Sequence, residues 1–387
     1  MNPYTRIKAV VSLDAIAKNF EAMRENLRPG TKIIAVIKAD GYGHGAIPIA
    51  RMIHAWDYIW GFAVATAEEA FSLRNAGVTK PILILGLVFP EYYEELIRQD
   101  IRLTVCEEET AGKLSEEAVR QEKIVHIHVA LDTGMTRIGF ADCEESLESI
   151  KRISRLPNLK IEGMFTHFAR ADETDRSPAM VQLDRYQKFA EQLAAHEVTI
   201  PCLHCSNSAG IIRIPEANYH LVRAGITIYG IYPSGEVERD IVKLTPAMEL
   251  KSHVSYVKDV NPGCAISYGG TFVAEKPMRV ATIPAGYADG YPRQLSNKGW
   301  VLIHGRRARI LGRVCMDQFM VDVTDIADVK TGTEVTLMGK DGEEFLGIEE
   351  LGDLSGRFSY EFACEISKRV PRVYIRDGKE DSELTFF

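Results

Sequence analysis

Eight short apolar runs recur through the first part of the chain, at residues 32–38, 58–64, 81–85, 101–105, 124–131, 160–166, 202–206 and 220–223. Between most of them lie stretches with helical spacing, at 67–75, 107–119, 144–155 and 181–196. Another such stretch, 13–27, precedes the first run and places Ile16, Phe20, Met23 and Leu27 on one face. Apolar strands covered on both faces are the signature of parallel sheets, and parallel strands need helical crossovers. The pattern predicts an α/β fold with an N-terminal (β/α)8, TIM-like barrel. A doubly wound open sheet is the alternative. Such a sheet carries a phosphate-binding glycine fingerprint near its first strand, and Gly41-Tyr42-Gly43-His44-Gly45 does not match G-x-G-x-x-G.

After about residue 240 helical spacing gives way to strand-like runs at 247–260, 279–284, 301–303, 308–314, 319–323 and 334–337. Asn261-Pro262-Gly263 and Lys340-Asp341-Gly342 punctuate them. A chain of 387 residues exceeds one ordinary core. Two domains are expected: 1–240 as the barrel and 241–387 as a mostly β domain.

The formal net charge of −8 argues against a nucleic acid or an anionic membrane as partner. The longest apolar run, 81–89, is too short to span a bilayer, and Met1-Asn2-Pro3-Tyr4-Thr5-Arg6 lacks the apolar segment of a signal peptide. Seven cysteines without regular spacing suggest reduced thiols and a cytoplasmic protein. Cys202-Leu203-His204-Cys205 is half of a metal motif with no second half, so a buried strand is the better reading and no metal is expected.

The chemistry gathers at the carboxyl ends of these strands, where barrel active sites lie. Lys38 ends the first run, just before the glycine-rich turn. A lysine leaving apolar surroundings loses part of its preference for the charged form, and the free amine forms a Schiff base with an aldehyde such as pyridoxal phosphate. Arg137 lies beyond the fifth run, His167 follows the sixth, Ser206-Asn207-Ser208 the seventh, and Arg223 with Ala224-Gly225-Ile226 the eighth.

The run Ala35-Val36-Ile37-Lys38-Ala39-Asp40-Gly41-Tyr42-Gly43-His44-Gly45 resembles the cofactor-lysine signature of the alanine racemases, fold-type III pyridoxal-phosphate enzymes. The resemblance continues, in the family's order, at Asp132-Thr133-Gly134-Met135, Thr166-His167-Phe168-Ala169, His204-Cys205-Ser206-Asn207-Ser208-Ala209, Ser267-Tyr268-Gly269, Gly286-Tyr287-Ala288-Asp289-Gly290 and Cys315-Met316-Asp317-Gln318. It implies interconversion of L- and D-alanine by two bases on a pyridoxal 5′-phosphate Schiff base, D-alanine being a peptidoglycan precursor. It also implies a homodimer whose β domains reach the partner's active site.

By resemblance, Lys38 carries the cofactor and serves as the base for D-alanine, while Tyr268 serves L-alanine from the other subunit. His167 and Arg223 link that tyrosine to the cofactor, and Arg223 meets the pyridine nitrogen. Tyr42, Asn207, Ser208, Gly225, Ile226 and Tyr360 match cofactor positions, most of them around the phosphate. Arg137 and Met316 match residues that hold the substrate carboxylate, and Tyr287 with Tyr360 matches the pair that narrows the entrance. One position departs from the pattern: many members carry a carbamylated lysine where this chain has Ala130. A chloride, a carboxylate or water remain as the alternatives for steadying Arg137. Racemisation of serine or of several amino acids, a fold-type III decarboxylase and a non-catalytic pyridoxal-phosphate carrier stay open. The signatures around Tyr268 and Met316 favour racemisation, and the β domain tells against a carrier.

Overall fold

A computed structural model describes residues 6–386. The chain divides into two compact units. One holds Ala17–Gly41 and Gly45–Thr245; the other holds the described residues through Ile16, the tripeptide Tyr42–His44, and those from Pro246 onward.

The first unit is the predicted barrel. Its eight main strands are Lys32–Val36, Ile59–Val64, Ile82–Ile84, Arg102–Val105, Val125–Asp132, Leu159–Phe165, Cys202–His204 and Leu221–Ala224. The first seven pair in parallel, each with the next, and the eighth pairs with the first through Val222↔Ile33 and Arg223↔Ile34. The seam between the seventh and eighth is joined just past the ladder, where the Arg223 N–H donates to the Ser206 carbonyl at 2.9 Å. Ile33 to Ile37 are all buried, as continuous apolar strands require. Crossover helices include Ala67–Asn75, Glu108–Arg120, Glu144–Ile153 and Ser177–Ala195. Their inner faces bury Leu73, Leu114, Ile150 and Phe189. Each such side chain contributes about 1.5–3 kcal/mol on leaving water.

The second unit centres on an eleven-stranded sheet. Strand Ile7–Ser12 lies inside it, antiparallel to Met248–His253 (Ala9↔Leu250) and parallel to Arg372–Arg376 (Ala9↔Arg372). Its alternating burial is that of a strand with one face in the core, and sequence reading did not anticipate it. The run 247–260 is two strands, Met248–His253 and Tyr256–Val260. The first pairs with Ile7–Ser12 and Glu334–Asp341, the second with Met278–Ile283, so the chain changes partners between them. Two short helices, Ile348–Ser355 and Ser359–Cys364, also escaped sequence reading. Among the described residues no helix is long and apolar enough to cross a membrane.

Candidate active site

The first barrel strand delivers a partly buried Lys38, and the backbone then enters the left-handed region for five residues. Ala39, Asp40, Gly41, Tyr42 and Gly43 have φ of 51°, 50°, 61°, 51° and 79°. A left-handed turn costs each non-glycine residue roughly 1–2 kcal/mol, so this one persists only because it is held from several sides. The Gly41 N–H donates to Ile37 O, and Asp40 accepts from Gly45 N at its carbonyl and from Ala46 N at its carboxylate, each at 2.8 Å. Glu69 completes the hold: one carboxylate oxygen accepts from Ala39 N at 2.6 Å, the other from Ala65 N at 2.8 Å. Sequence reading passed over Glu69. It closes the pattern Thr66-Ala67-Glu68-Glu69, whose threonine caps the following helix by accepting from Glu69 N. That spacing normally returns the glutamate to the cap residue's own amide. Here its carboxylate is spent on the lysine turn.

Around His167 the barrel rim concentrates positive charge. Burial foremost, then the charges of Arg223, Arg137 and Lys38, push the imidazole down to about 3, so it is neutral at physiological pH. Three basic side chains from three strand ends thus act on a neutral ring beyond a fourth, a field that favours an anion.

Arg223 is 3% exposed. Burial lowers its guanidinium to about 10, which leaves it a cation at neutral pH. Its Nη1 donates to His204 Nδ1 at 2.9 Å and to His204 O at 3.0 Å. Its Nη2 donates to Thr166 O at 2.7 Å and Cys205 O at 2.9 Å, with His167 Nδ1 farther at 3.4 Å. The four terminal N–H bonds are thus used within the barrel, and Nε–H is the one left for a ligand.

Beyond the seventh and eighth strands, Ser208, Gly225 and Thr227 form one cluster. Ser208 Oγ accepts from Gly225 N at 3.0 Å and lies 3.0 Å from Thr227 Oγ1. Asn207 caps the short helix Ser208–Arg213 by accepting from Gly210 N at 3.0 Å. Ile226 is buried directly after Gly225. Ala130 is buried in the fifth strand, while Arg137 is exposed. No carboxylate forms an ion pair with Arg137 among the described residues.

The second unit gathers another set. Tyr268 is 71% exposed and follows Ser267, whose φ of 66° and ψ of −179° fall where glycine is nearly the sole occupant. Ser267 Oγ donates to Arg313 O at 2.6 Å and lies 3.5 Å from Cys315 Sγ. Tyr287 N donates to Cys315 O at 3.1 Å and Ala288 N to Met316 O at 3.0 Å. Three separate loops bearing Tyr268, Tyr287 and Met316 therefore converge on Cys315. Tyr287 and Met316 are 41% and 53% exposed. Only glycine fits at 286, where a Cβ would lie 2.3 Å from the carbonyl oxygens of both Cys315 and Met316. Behind this turn, buried Asp289 accepts from Gly286 N at 2.9 Å and pairs with Arg6 through both carboxylate oxygens. Sequence reading singled out neither residue of that pair for a role. Tyr42 and Tyr360 meet edge to face with centroids 6.1 Å apart, and Phe358 stacks on Tyr360 at 4.5 Å.

A (β/α)8 barrel with a lysine at its rim, continued in one chain by a mostly β unit, defines the two-domain barrel enzymes that act on amino acids. Residues 11–233 match the family model described as alanine racemase, N-terminal domain, and 247–374 match alanine racemase, C-terminal domain. The chain is 43% identical to the alanine racemase of Methanococcus maripaludis over 371 residues, covering 95% of this chain and 98% of that one. It is 44% identical to that of Desulforamulus reducens over 369 residues, covering 95% and 99%. The solved structure of alanine racemase from Clostridium difficile 630 superposes with a TM-score of 0.95 at 40% identity, over 98% of each chain. This chain belongs to the alanine racemase family, amino-acid isomerases known to use pyridoxal phosphate.

Proposed function

We propose that this chain interconverts L-alanine and D-alanine with pyridoxal 5′-phosphate, using Lys38 and Tyr268 as its two bases. The observation that carries the reading is the rim at His167, where Arg223 lies 3.4 Å from Nδ1 and burial with the charges of Arg223, Arg137 and Lys38 keeps the imidazole neutral. The residues fit the cofactor. Arg223 keeps one N–H, at Nε, for a ring nitrogen; the Ser208–Gly225 pair brings hydroxyl and amide together for a phosphate, with Asn207 and Ile226 next to them in sequence; and Lys38 offers the amine that an aldehyde needs. When bound, pyridoxal phosphate supplies the electron sink that makes an amino acid's α-proton removable.

Racemisation needs a base on each face of the α-carbon. Lys38 holds and returns the proton on one face, Tyr268 on the other. With His167 Nδ1 turned toward the Arg223 guanidinium, its proton sits on Nε2, and that N–H is suited to steady a phenolate oxygen. Arg223 would face the ring nitrogen only as a donor and so would leave it unprotonated, which would restrain electron withdrawal and suppress transamination. Arg137 and the Met316 amide hold the substrate carboxylate, and Tyr287 with Tyr360 admits small side chains. A second copy of the chain supplies Tyr268, Met316 and Tyr287, which makes the working unit a homodimer. Ala130 leaves Arg137 without the anchor that a carbamylated lysine provides, so installing lysine there lowers KM for alanine.

The test measures D-enantiomer formation from L-alanine and, separately, L-serine, by protein saturated with pyridoxal phosphate, with Lys38→Ala beside it. Lysine-dependent D-alanine with little D-serine is the expected result, and no D-alanine would sink the proposal. Mixing Lys38→Ala with Tyr268→Ala chains tests the sharing of sites. Each mixed dimer then holds one intact site, so about a quarter of the activity returns after subunit exchange. No recovery counts against a shared site.

A further inference from the structure

A line of hydrogen bonds runs through the barrel interior to Arg223, and the chemistry of its members fixes every proton in it. Arginine only donates, so His204 Nδ1, 2.9 Å from Arg223 Nη1, must be an acceptor, and the His204 proton lies on Nε2. That Nε2 meets His128 Nδ1 at 2.8 Å, which puts the His128 proton on its own Nε2. His128 Nε2 faces Glu162 Oε2 at 3.3 Å, and the same oxygen accepts from Arg102 Nε at 3.1 Å. Both imidazoles are fully buried, and burial holds both neutral. Burial alone would raise the Glu162 carboxyl; the His128 bond and Arg102 outweigh it and bring it to about 2. The line therefore ends on a carboxylate. The hydrogen bonds of Arg223 itself go to carbonyls and imidazoles.

Two further contacts show that the line is built rather than incidental. A Cβ at Gly163 would lie 2.4 Å from His128 Nδ1, so glycine at that position makes room for the ring. Phe165 stacks on His204 with centroids 5.1 Å apart and carries the Arg223 guanidinium over its face at 5.4 Å.

We propose that Glu162 and His128 are positioning residues that act through His204 on Arg223, locking the tautomer whose Nδ1 accepts the Nη1 proton. In the opposite tautomer His204 would set an N–H against a guanidinium N–H, and the guanidinium would turn. The kinetic consequence rests on the place given above to Arg223; the tautomers can be read from the protein alone.

The test combines ¹⁵N spectra of histidine-labelled, pyridoxal-phosphate-loaded protein with steady-state kinetics of three variants. Glu162→Gln keeps an acceptor for His128, Glu162→Leu removes it, and Gly163→Ala crowds the ring, with the Cys202 carbonyl oxygen next at 2.9 Å, without altering any charge. In the parent, both His128 and His204 should be protonated at Nε2. Glu162→Gln should keep that pattern and most of kcat. Glu162→Leu and Gly163→Ala should show mixed tautomers and lose kcat by roughly tenfold with KM little changed, the signature of a group that acts at the transition state. If Glu162→Leu does not fold, the other two variants carry the comparison. An Nδ1-protonated His204 in the parent overturns the proposal, as does parent-like kcat in Gly163→Ala once its tautomers have changed. A parent that lacks racemase activity defeats the functional reading instead, and its spectra still decide the proton line.

Discussion

Glu69 grips the amide of Ala39, the residue immediately after Lys38, at 2.6 Å, while its other oxygen holds Ala65 at 2.8 Å. One carboxylate thus ties the left-handed turn to the end of the neighbouring barrel strand. The lysine's direction is set by a residue that need not touch any ligand.

Replacing Glu69 by alanine should therefore cost stability and catalysis together. Two hydrogen bonds to a charged acceptor disappear, and the left-handed turn loses a restraint. The expected loss is roughly 1–3 kcal/mol in urea unfolding, with a lower kcat. Unchanged values of both would show that Asp40 holds the turn alone.

Ser267 offers a comparison between strain and hydrogen bonding. Its backbone lies in a glycine-like region, while its hydroxyl donates to Arg313 O at 2.6 Å. Ser267→Ala loses the bond and keeps the strain. Ser267→Gly loses the bond and relieves strain worth about 1–3 kcal/mol, against about 0.5–1.5 kcal/mol for the bond. Thermal unfolding should rank glycine at or above the parent and alanine below it; the reverse order would sink the account.

Gly286→Ala should damage both binding and stability. The added methyl meets two carbonyl oxygens at 2.3 Å, so the turn bearing Tyr287 must part from Met316. A KM for alanine that rises sharply, with a lower unfolding midpoint, is the expected outcome. Parent-like values would mean that the two loops separate freely.

Acid should weaken the fold well above the carboxylate range. His167 is pushed to about 3 by burial and then by Arg223, Arg137 and Lys38, and burial lowers His128 and His204 as well. Unfolded, each titrates near 6.5, so below that pH the unfolded chain binds more protons and stability falls. The slope is up to about 1.4 kcal/mol per pH unit for each ring. Glu162, lowered from 4.5 to about 2, contributes stability that is present above 4.5 and lost as pH falls toward 2. Urea unfolding at a series of pH values checks both windows; stability constant from pH 7 to 5 would contradict neutral burial of the rings.

The barrel was legible because buried parallel strands write themselves as unbroken apolar runs, such as Ile33-Ile34-Ala35-Val36-Ile37. The rim lysine and its turn were visible through their glycines, yet the left-handed geometry of Ala39, Asp40 and Tyr42 has no residue-type signal. The second unit was harder. In 247–260 an apolar pattern runs across a change of partner strand, and only pairing reveals the break. Lys379–Leu384 is held by its backbone ladder to Arg372–Arg376 and carries almost no apolar signal. The His128–His204–Arg223 line was invisible for another reason: its members sit on three strands, and their meeting is a property of the closed barrel.

The central place of Ile7–Ser12 has a consequence for how the chain is made. On the ribosome this strand emerges before the barrel strands, but its neighbours, Met248–His253 and Arg372–Arg376, emerge after all eight of them. The barrel's own ladder needs nothing beyond Ala224. A nascent chain therefore carries an unpaired apolar strand through most of its synthesis, a template for pairing with another chain. Polypeptides stalled before Met248 should associate with other chains more readily than the full-length chain does.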